Sequence, residues 1–165
     1  MLIRHETPAD LASVRRVEEL AFARTEEAAL VDALHAQGKV TLSLVAEEEG
    51  CVVGHVLFSA VTIGSRTGVG LGPLAILPEC QRRGIGAALV RRGLAQCRAA
   101  GHEFAVVLGE PAYYGRFGFE TAARHGVRCE FDAPEDAFMI LALRPGALAG
   151  LGGVARYQPE FGSVA

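Results

Sequence analysis

Apolar residues recur along this chain in two rhythms, and the switch between them separates helix from strand. Residues 2–5 read as a short opening strand. Thr7-Pro8-Ala9-Asp10 has the form of a helix start: Thr7 can cap, Pro8 suits the first helical position, and Asp10 is placed to reach back. The helix that follows is expected to turn Leu11, Val14, Val17 and Ala21 inward and to end near Phe22. Thr25 opens a second helix, in which Glu26 and Glu27 complement the dipole and Leu30, Val31 and Leu34 form the apolar side, until Gly38 stops it. From residue 41 the rhythm shortens. Residues 41–47 and 52–63 predict two strands joined by the turn Glu48-Glu49-Gly50, and residues 69–77 predict a third that Pro78 ends.

The helical rhythm then returns. At 100° per residue, Gly86, Leu89, Val90, Gly93, Leu94, Cys97 and Ala100 share one face, while Arg91, Arg92, Gln96 and Arg98 fall away from it. Two glycines inside an apolar stripe weaken a helix, and they make sense where its backbone must approach a sheet closely. Residues 104–108 form a continuous apolar run, the pattern of a buried strand. A short helix at 111–117, capped by Gly118, precedes a final strand pair at 127–131 and 138–143, separated by Asp132-Ala133-Pro134. The glycine-rich segment 145–165 is expected to be irregular. These elements predict an α/β (α+β) fold, with one mixed, mostly antiparallel sheet of six to seven strands and about four flanking helices.

Length and composition narrow the classes. At 165 residues, half of them hydrophobic, the chain has the size of one domain, spanning 1–165 with a core of about 1–144. No run of about 18 apolar residues is available to span a membrane. The opening Met1-Leu2-Ile3-Arg4-His5-Glu6 lacks the basic and apolar regions of a secretory signal, so a cytoplasmic location is expected. A net charge of −3 gives no overall field for a nucleic-acid partner. Cys51, Cys80, Cys97 and Cys129 lie far apart, as do the five histidines, so no metal-ligand spacing is present and no metal is expected.

The chemistry concentrates at Gln81-Arg82-Arg83-Gly84-Ile85-Gly86, between a strand end and a helix start. Free backbone N–H groups at such a helix N-terminus face outward and attract anions. Gly84 and Gly86 remove side chains that would hold a diphosphate away, while Arg82 and Arg83 add charge. A Walker-type loop is excluded because no Gly-Lys-Ser/Thr follows. A dinucleotide-binding oxidoreductase is disfavoured because the third glycine of that fingerprint falls on Leu89. Read alone, the turn is either an anion site or structural punctuation.

Taken together, two motifs resemble the GCN5-related N-acetyltransferase (GNAT) superfamily, a bacterial subgroup of predicted N-acetyltransferases of unassigned substrate in particular. One runs Leu74-Ala75-Ile76-Leu77-Pro78-Glu79-Cys80-Gln81-Arg82-Arg83-Gly84-Ile85-Gly86-Ala87-Ala88-Leu89. The other is Tyr113-Tyr114-Gly115-Arg116-Phe117-Gly118-Phe119. The resemblance implies a central splayed strand pair, with acetyl-CoA as co-substrate. Leu74, Ala75 and Ile76 would bond the pantetheine arm, and Gln81, Arg82, Arg83, Gly84, Ile85, Gly86 and Ala87 would hold the pyrophosphate. Tyr114, four residues before Gly118, would contact the thioester end and give a proton to the departing thiolate.

That role fits the chemistry. The alkylamine must lose a proton before attack, and a thiolate leaving near pKa 8.5 benefits from a donor. Tyr113 is read as a packing neighbour. Glu26, Glu27, Glu79 and Glu110 are candidate bases, with a solvated surface place favoured for each. Arg91 and Arg92 fit either the CoA 3′-phosphate or an exposed face, and Gly109-Glu110 departs from the asparagine common in the superfamily at that point. The acceptor is expected to be a primary amine of a small molecule or peptide. A catalytically silent CoA-binding module is the alternative, and a homodimer is left open.

Overall fold

Alternation of apolar and polar residues from residue 40 onward builds a sheet that carries the whole molecule. The computed structural model describes residues 1–164. Its strands are β1 (Leu2–His5), β2 (Val40–Glu48), β3 (Cys51–Ile63), β4 (Arg66–Ile76), β5 (Phe104–Leu108), β6 (Glu120–Thr121), β7 (Val127–Cys129), β8 (Phe138–Ala142) and β9 (Gly153–Arg156). The helices are α1 (Leu11–Phe22), α2 (Glu26–Ala36), α3 (Ile85–Ala99) and α4 (Pro111–Gly115). Seven strands lie in the order β1-β2-β3-β4-β5-β8-β6, while β9 joins from the side, pairing with β3 and β7. Pairing is antiparallel except for β4 with β5 and β7 with β9. This is the mixed, mostly antiparallel sheet expected.

The β4–β5 ladder is short. It joins Val69, Leu71 and the residue between them to 105–107 and goes no further, although β4 continues to Ile76. On its other side β4 carries an irregularity, where Val56 pairs with Leu74 but Phe58 pairs with Leu71. Gly72 and Pro73 occupy that bulge. A proline inside a central strand has no N–H for a ladder, and a bulge bends the strand that holds it. From this point β4 and β5 diverge.

Neighbouring residues of a strand face opposite sides of the sheet. On β3, a Cβ at Gly54 would meet Leu89 and Ile85 of α3, whereas His55 bonds Glu18 of α1. The two helices therefore cover opposite faces, and α2 packs beside α1. Gly93 lies so close to the sheet that a Cβ there would stand 2.6 Å from Cζ of the fully buried Phe58. The expected close approach is real at this position.

The core also encloses a polar line. His55 accepts or donates at both ring nitrogens, with Nδ1 2.6 Å from Glu18 Oε2 and Nε2 2.8 Å from Ser43 Oγ. Ser43 donates to Glu6, which His35 meets at 3.1 Å. Burial raises the Glu18 carboxyl against the opposing pull of His55. For His55 burial works the other way, but hydrogen bonds to Glu18 and Glu6 outweigh it and its pKa is raised. The arrangement ties α1 to the sheet beside the cofactor strand, since His55 pairs across the ladder with Ala75.

Three expectations change. Leu11 is exposed and does not join the apolar face of α1. The stretch 127–131 does not pair with 138–143. Instead β7 pairs with β9, while β8 lies between β5 and β6. Residues 145–165 are also not simply irregular, because they hold β9 and a 3-10 turn at Pro159–Ser163. Their glycines mark turns between short elements, which hid the strand.

Candidate active site

Where β4 leaves β5, a cleft of about 600 Å³ opens between α1, the end of β4 and the start of α3. Leu74 and Ile76 line one wall, and Arg82, Gly84, Ile85, Gly86 and Ala87 line its far end. The turn that begins α3 is wound tightly. Gly84 sits in the left-handed region at φ 84°, and Arg82, a residue that rarely adopts such a backbone, stands at φ 63°. The first bond of the helix runs from the Ala88 N–H to the Gly84 carbonyl. The N–H groups of Ile85, Gly86 and Ala87 therefore have no helical acceptor, and the dipole places about half a positive charge behind them.

The remaining expected residues fall into different places. Gln81 turns its amide back to the Ile76 carbonyl, 3.1 Å away, and so braces the turn against β4. Arg83 points away from the cleft to Glu48 at 2.9 Å. Ala75 is buried on the side of the strand that faces away from the cleft. Arg91 and Arg92 are exposed, and Arg91 lies 5.2 Å from the Phe117 ring, outside the cleft lining.

The two tyrosines of α4 divide. Tyr113 lines the cleft, its hydroxyl 2.7 Å from where a Cβ on Gly86 would be, with the Arg116 guanidinium 4.3 Å from its ring. Tyr114 is buried, edge-on to Tyr113 at 5.0 Å and to Phe119 at 5.9 Å. A Cβ at Gly109 would come within 2.7 Å of the Tyr114 ring, so the glycine that replaces the usual asparagine leaves room for it. Burial pushes the Tyr114 phenol far above its ordinary range. Burial raises the Tyr157 phenol too.

Of the candidate bases, Glu79 and Glu110 are exposed as expected. Glu26 is paired to Arg24 at 3.2 Å. Glu27 departs from the surface place expected of it: it is buried, and Arg24 Nε donates to its Oε1 at 2.9 Å. Its position in the first turn of a helix looked solvated in the sequence, and only the packing of α2 reveals otherwise. Among the described residues no group of three or more His, Cys, Asp or Glu side chains is arranged to hold a metal ion, and no helix is long and apolar enough to cross a membrane.

Residues 11–119 match the model of the acetyltransferase (GNAT) family. The chain belongs to the GNAT family. It is 39% identical over 164 residues to the uncharacterised N-acetyltransferase YhbS of Escherichia coli K12, covering 98% of each chain. The crystal structure of E. coli YhbS in complex with CoA superimposes with a TM-score of 0.94 at 38% identity, over 98% of this chain and 91% of that one. A GNAT family acetyltransferase from Brucella melitensis in complex with acetyl-CoA gives 0.81 at 42% identity, over 97% of each. This family member is thus an N-acetyltransferase that uses acetyl-CoA as its co-substrate.

Proposed function

We propose that this chain moves an acetyl group directly from acetyl-CoA to a primary amine of a small molecule or peptide in the cytoplasm, with Tyr114 as proton donor to the thiolate. The observation that carries the reading is the free N–H set of Ile85, Gly86 and Ala87 at the end of a cleft that runs back to the parting of β4 and β5. Gly86 presents bare backbone there, and a side chain would meet Tyr113. A pyrophosphate fits that cradle, with Arg82, Gln81 and the glycines of the turn beside it and Arg83 fixing the turn from outside.

The pantetheine arm follows from the same divergence. Beyond Leu71, β4 has lost β5 as a ladder partner but keeps β3, so one edge of the Leu74-Ala75-Ile76 backbone is available. An extended amide chain can bond to that edge as a strand would. The acetyl group is thereby held near the divergence, and the Tyr114 ring packs against Gly109, just past the end of β5.

In the transfer, the neutral amine nitrogen attacks the thioester carbonyl carbon, a C–N bond forms, and the C–S electron pair leaves with sulfur. The nitrogen loses its surplus proton to solvent, and sulfur takes one from Tyr114, which solvent then reprotonates. Acetyl-CoA supplies an already activated acyl group, so no covalent enzyme intermediate is needed. Tyr114 remains protonated at neutral pH because its surroundings are apolar. It can therefore donate a hydrogen bond to sulfur that strengthens as negative charge builds. The Tyr114→Phe variant tests this in a thiol-release assay. We expect kcat to fall about 10²-fold with CoA affinity unchanged, whereas Tyr113→Phe should leave kcat within about threefold. An unaltered kcat in Tyr114→Phe would remove that residue from the mechanism.

A further inference from the structure

A second, smaller cavity of about 180 Å³ lies beside the cofactor cleft. Phe22 borders both, and Leu71, Gly72 and Pro73 bring the point of strand divergence to its wall. Its remaining walls are mainly apolar and aromatic. Phe131 stands 5.7 Å from Tyr157, and Tyr157 stands 5.0 Å from Phe161. The cavity has one carboxylate among its lining residues, Glu27.

We propose that this cavity is the acceptor site and selects a primary amine borne on a small apolar body, an aromatic ring being the best fit, with its ammonium against Glu27. The proposal rests on the acetyl-transfer reading above. Three observations favour it over a polyamine, an aminosugar or a peptide. First, the volume is below the roughly 300–1,000 Å³ of sites that enclose drug-sized ligands. It is also far below the 600 Å³ of the cofactor cleft. Second, hydroxyls or extra ammonium groups would be stripped of water against walls whose side chains offer them only Glu27 and the Tyr157 phenol as partners. Third, the charge is complementary. Arg24 donates to both Glu27 oxygens and also reaches Glu26, leaving the cluster with two carboxylates to one guanidinium, and each carboxylate oxygen can accept a second bond. An ammonium donating to Glu27 balances it.

The walls are already held in place. Lys39 pairs with Glu160 at 2.8 Å, the Tyr157 N–H donates to Glu130 Oε1 at 2.7 Å, and the Gln158 amide donates to the Ala60 carbonyl at 3.0 Å. These contacts within the chain hold Tyr157 and Phe161 in place.

Two measurements on the full chain test the proposal: phenethylamine binding by calorimetry, and thiol release from acetyl-CoA with phenethylamine, spermidine and glucosamine. Phenethylamine is expected to bind. Glu27→Gln should weaken that binding at least tenfold while leaving CoA affinity within twofold. Phe161→Leu, which keeps the wall apolar but removes the ring, should weaken it about three- to tenfold, with the chain still folded at the assay temperature despite the lower Tm that loss of a buried ring brings. Absence of phenethylamine binding, equal affinity in Glu27→Gln, or a higher kcat/KM for spermidine or glucosamine would overturn the proposal. If phenethylamine binds through Glu27 and no amine releases thiol, the cavity is an amine site but not an acceptor site, and the acetyl-transfer reading fails. If only the polar amines release thiol, the acetyl-transfer reading stands and the acceptor assignment fails.

Discussion

Replacing Gly93 by alanine sets two effects of opposite sign against each other in one methyl group. Alanine is favoured over glycine in a helix interior by about 1 kcal/mol, so an exposed site would gain stability. Gly93 is not such a site. Its added Cβ would lie 2.6 Å from Cζ of Phe58, a ring with no exposed surface and no free space to turn into. Forcing a methyl into a packed core costs about 1–3 kcal/mol. The clash is severe, so the upper half of that range applies and the net loss is about 1–2 kcal/mol. For a chain of this size that lowers Tm by roughly 2–8 °C. There is a second consequence, because α3 begins two turns earlier at the phosphate turn. A helix displaced from the sheet moves those N–H groups, and CoA affinity should fall several-fold. Thermal unfolding with CoA calorimetry would show both changes. The decisive control is Phe58→Leu. It opens a cavity and destabilises the chain alone, but in the Gly93→Ala background it should restore part of the loss. A rise in Tm for Gly93→Ala, or additivity of the two changes within about 0.5 kcal/mol, would refute the close-contact reasoning.

Two further outcomes are expected. Gly86→Ala should leave Tm unchanged or slightly higher, since the helix gains alanine, yet raise the CoA Kd at least tenfold because the methyl fills the cradle beside Tyr113; equal CoA affinity by calorimetry would count against the phosphate site. Asp10 accepts two bonds from Arg4 at 2.8 and 2.9 Å and one from the Thr7 N–H at 2.7 Å, and the Arg4 hydrogen bonds hold its carboxyl well below the usual range. A depressed folded pKa means that the stabilisation is complete above the ordinary carboxylate value near 4 and is lost only as pH falls through the lower folded value. Asp10→Asn should therefore cost about 1–2 kcal/mol in urea unfolding at pH 7, with the gap intact at pH 4 and narrowing only in stronger acid; a gap already closed at pH 5 would contradict this.

The cofactor side was legible because its signals are local. Glycines, arginines and a helix start lie within six consecutive residues, and the stripe behind them has a plain period. The divergence of β4 from β5 also had a local signal, Pro73 inside a central strand pattern, but it looks like nothing more than an apolar residue until its missing N–H is considered. The line Glu6, Glu18, His35, Ser43 and His55 has no such signal. Its members are scattered along five elements or connections, and each reads alone as a surface group. The acceptor cavity was hidden for a related reason. Glu27 looked like a helix-start acid, and Tyr157 and Phe161 sit in a glycine-rich stretch with no sustained period. Only the pairing of β9 with β3 and β7 brings them to the sheet.

The two cavities share Phe22 and adjoin along β4, but the aromatic walls of the smaller one come from late in the chain, and this bears on how such a protein can diverge. The span that matches the family model, 11–119, contains the whole phosphate turn and both α4 tyrosines, and it stops before Phe131, Tyr157 and Phe161. A lineage could therefore rewrite its choice of acceptor through changes after residue 119, together with Glu27, while the grip on CoA stays as it was. Duplicated copies of such a gene would begin new careers with the cofactor half already working.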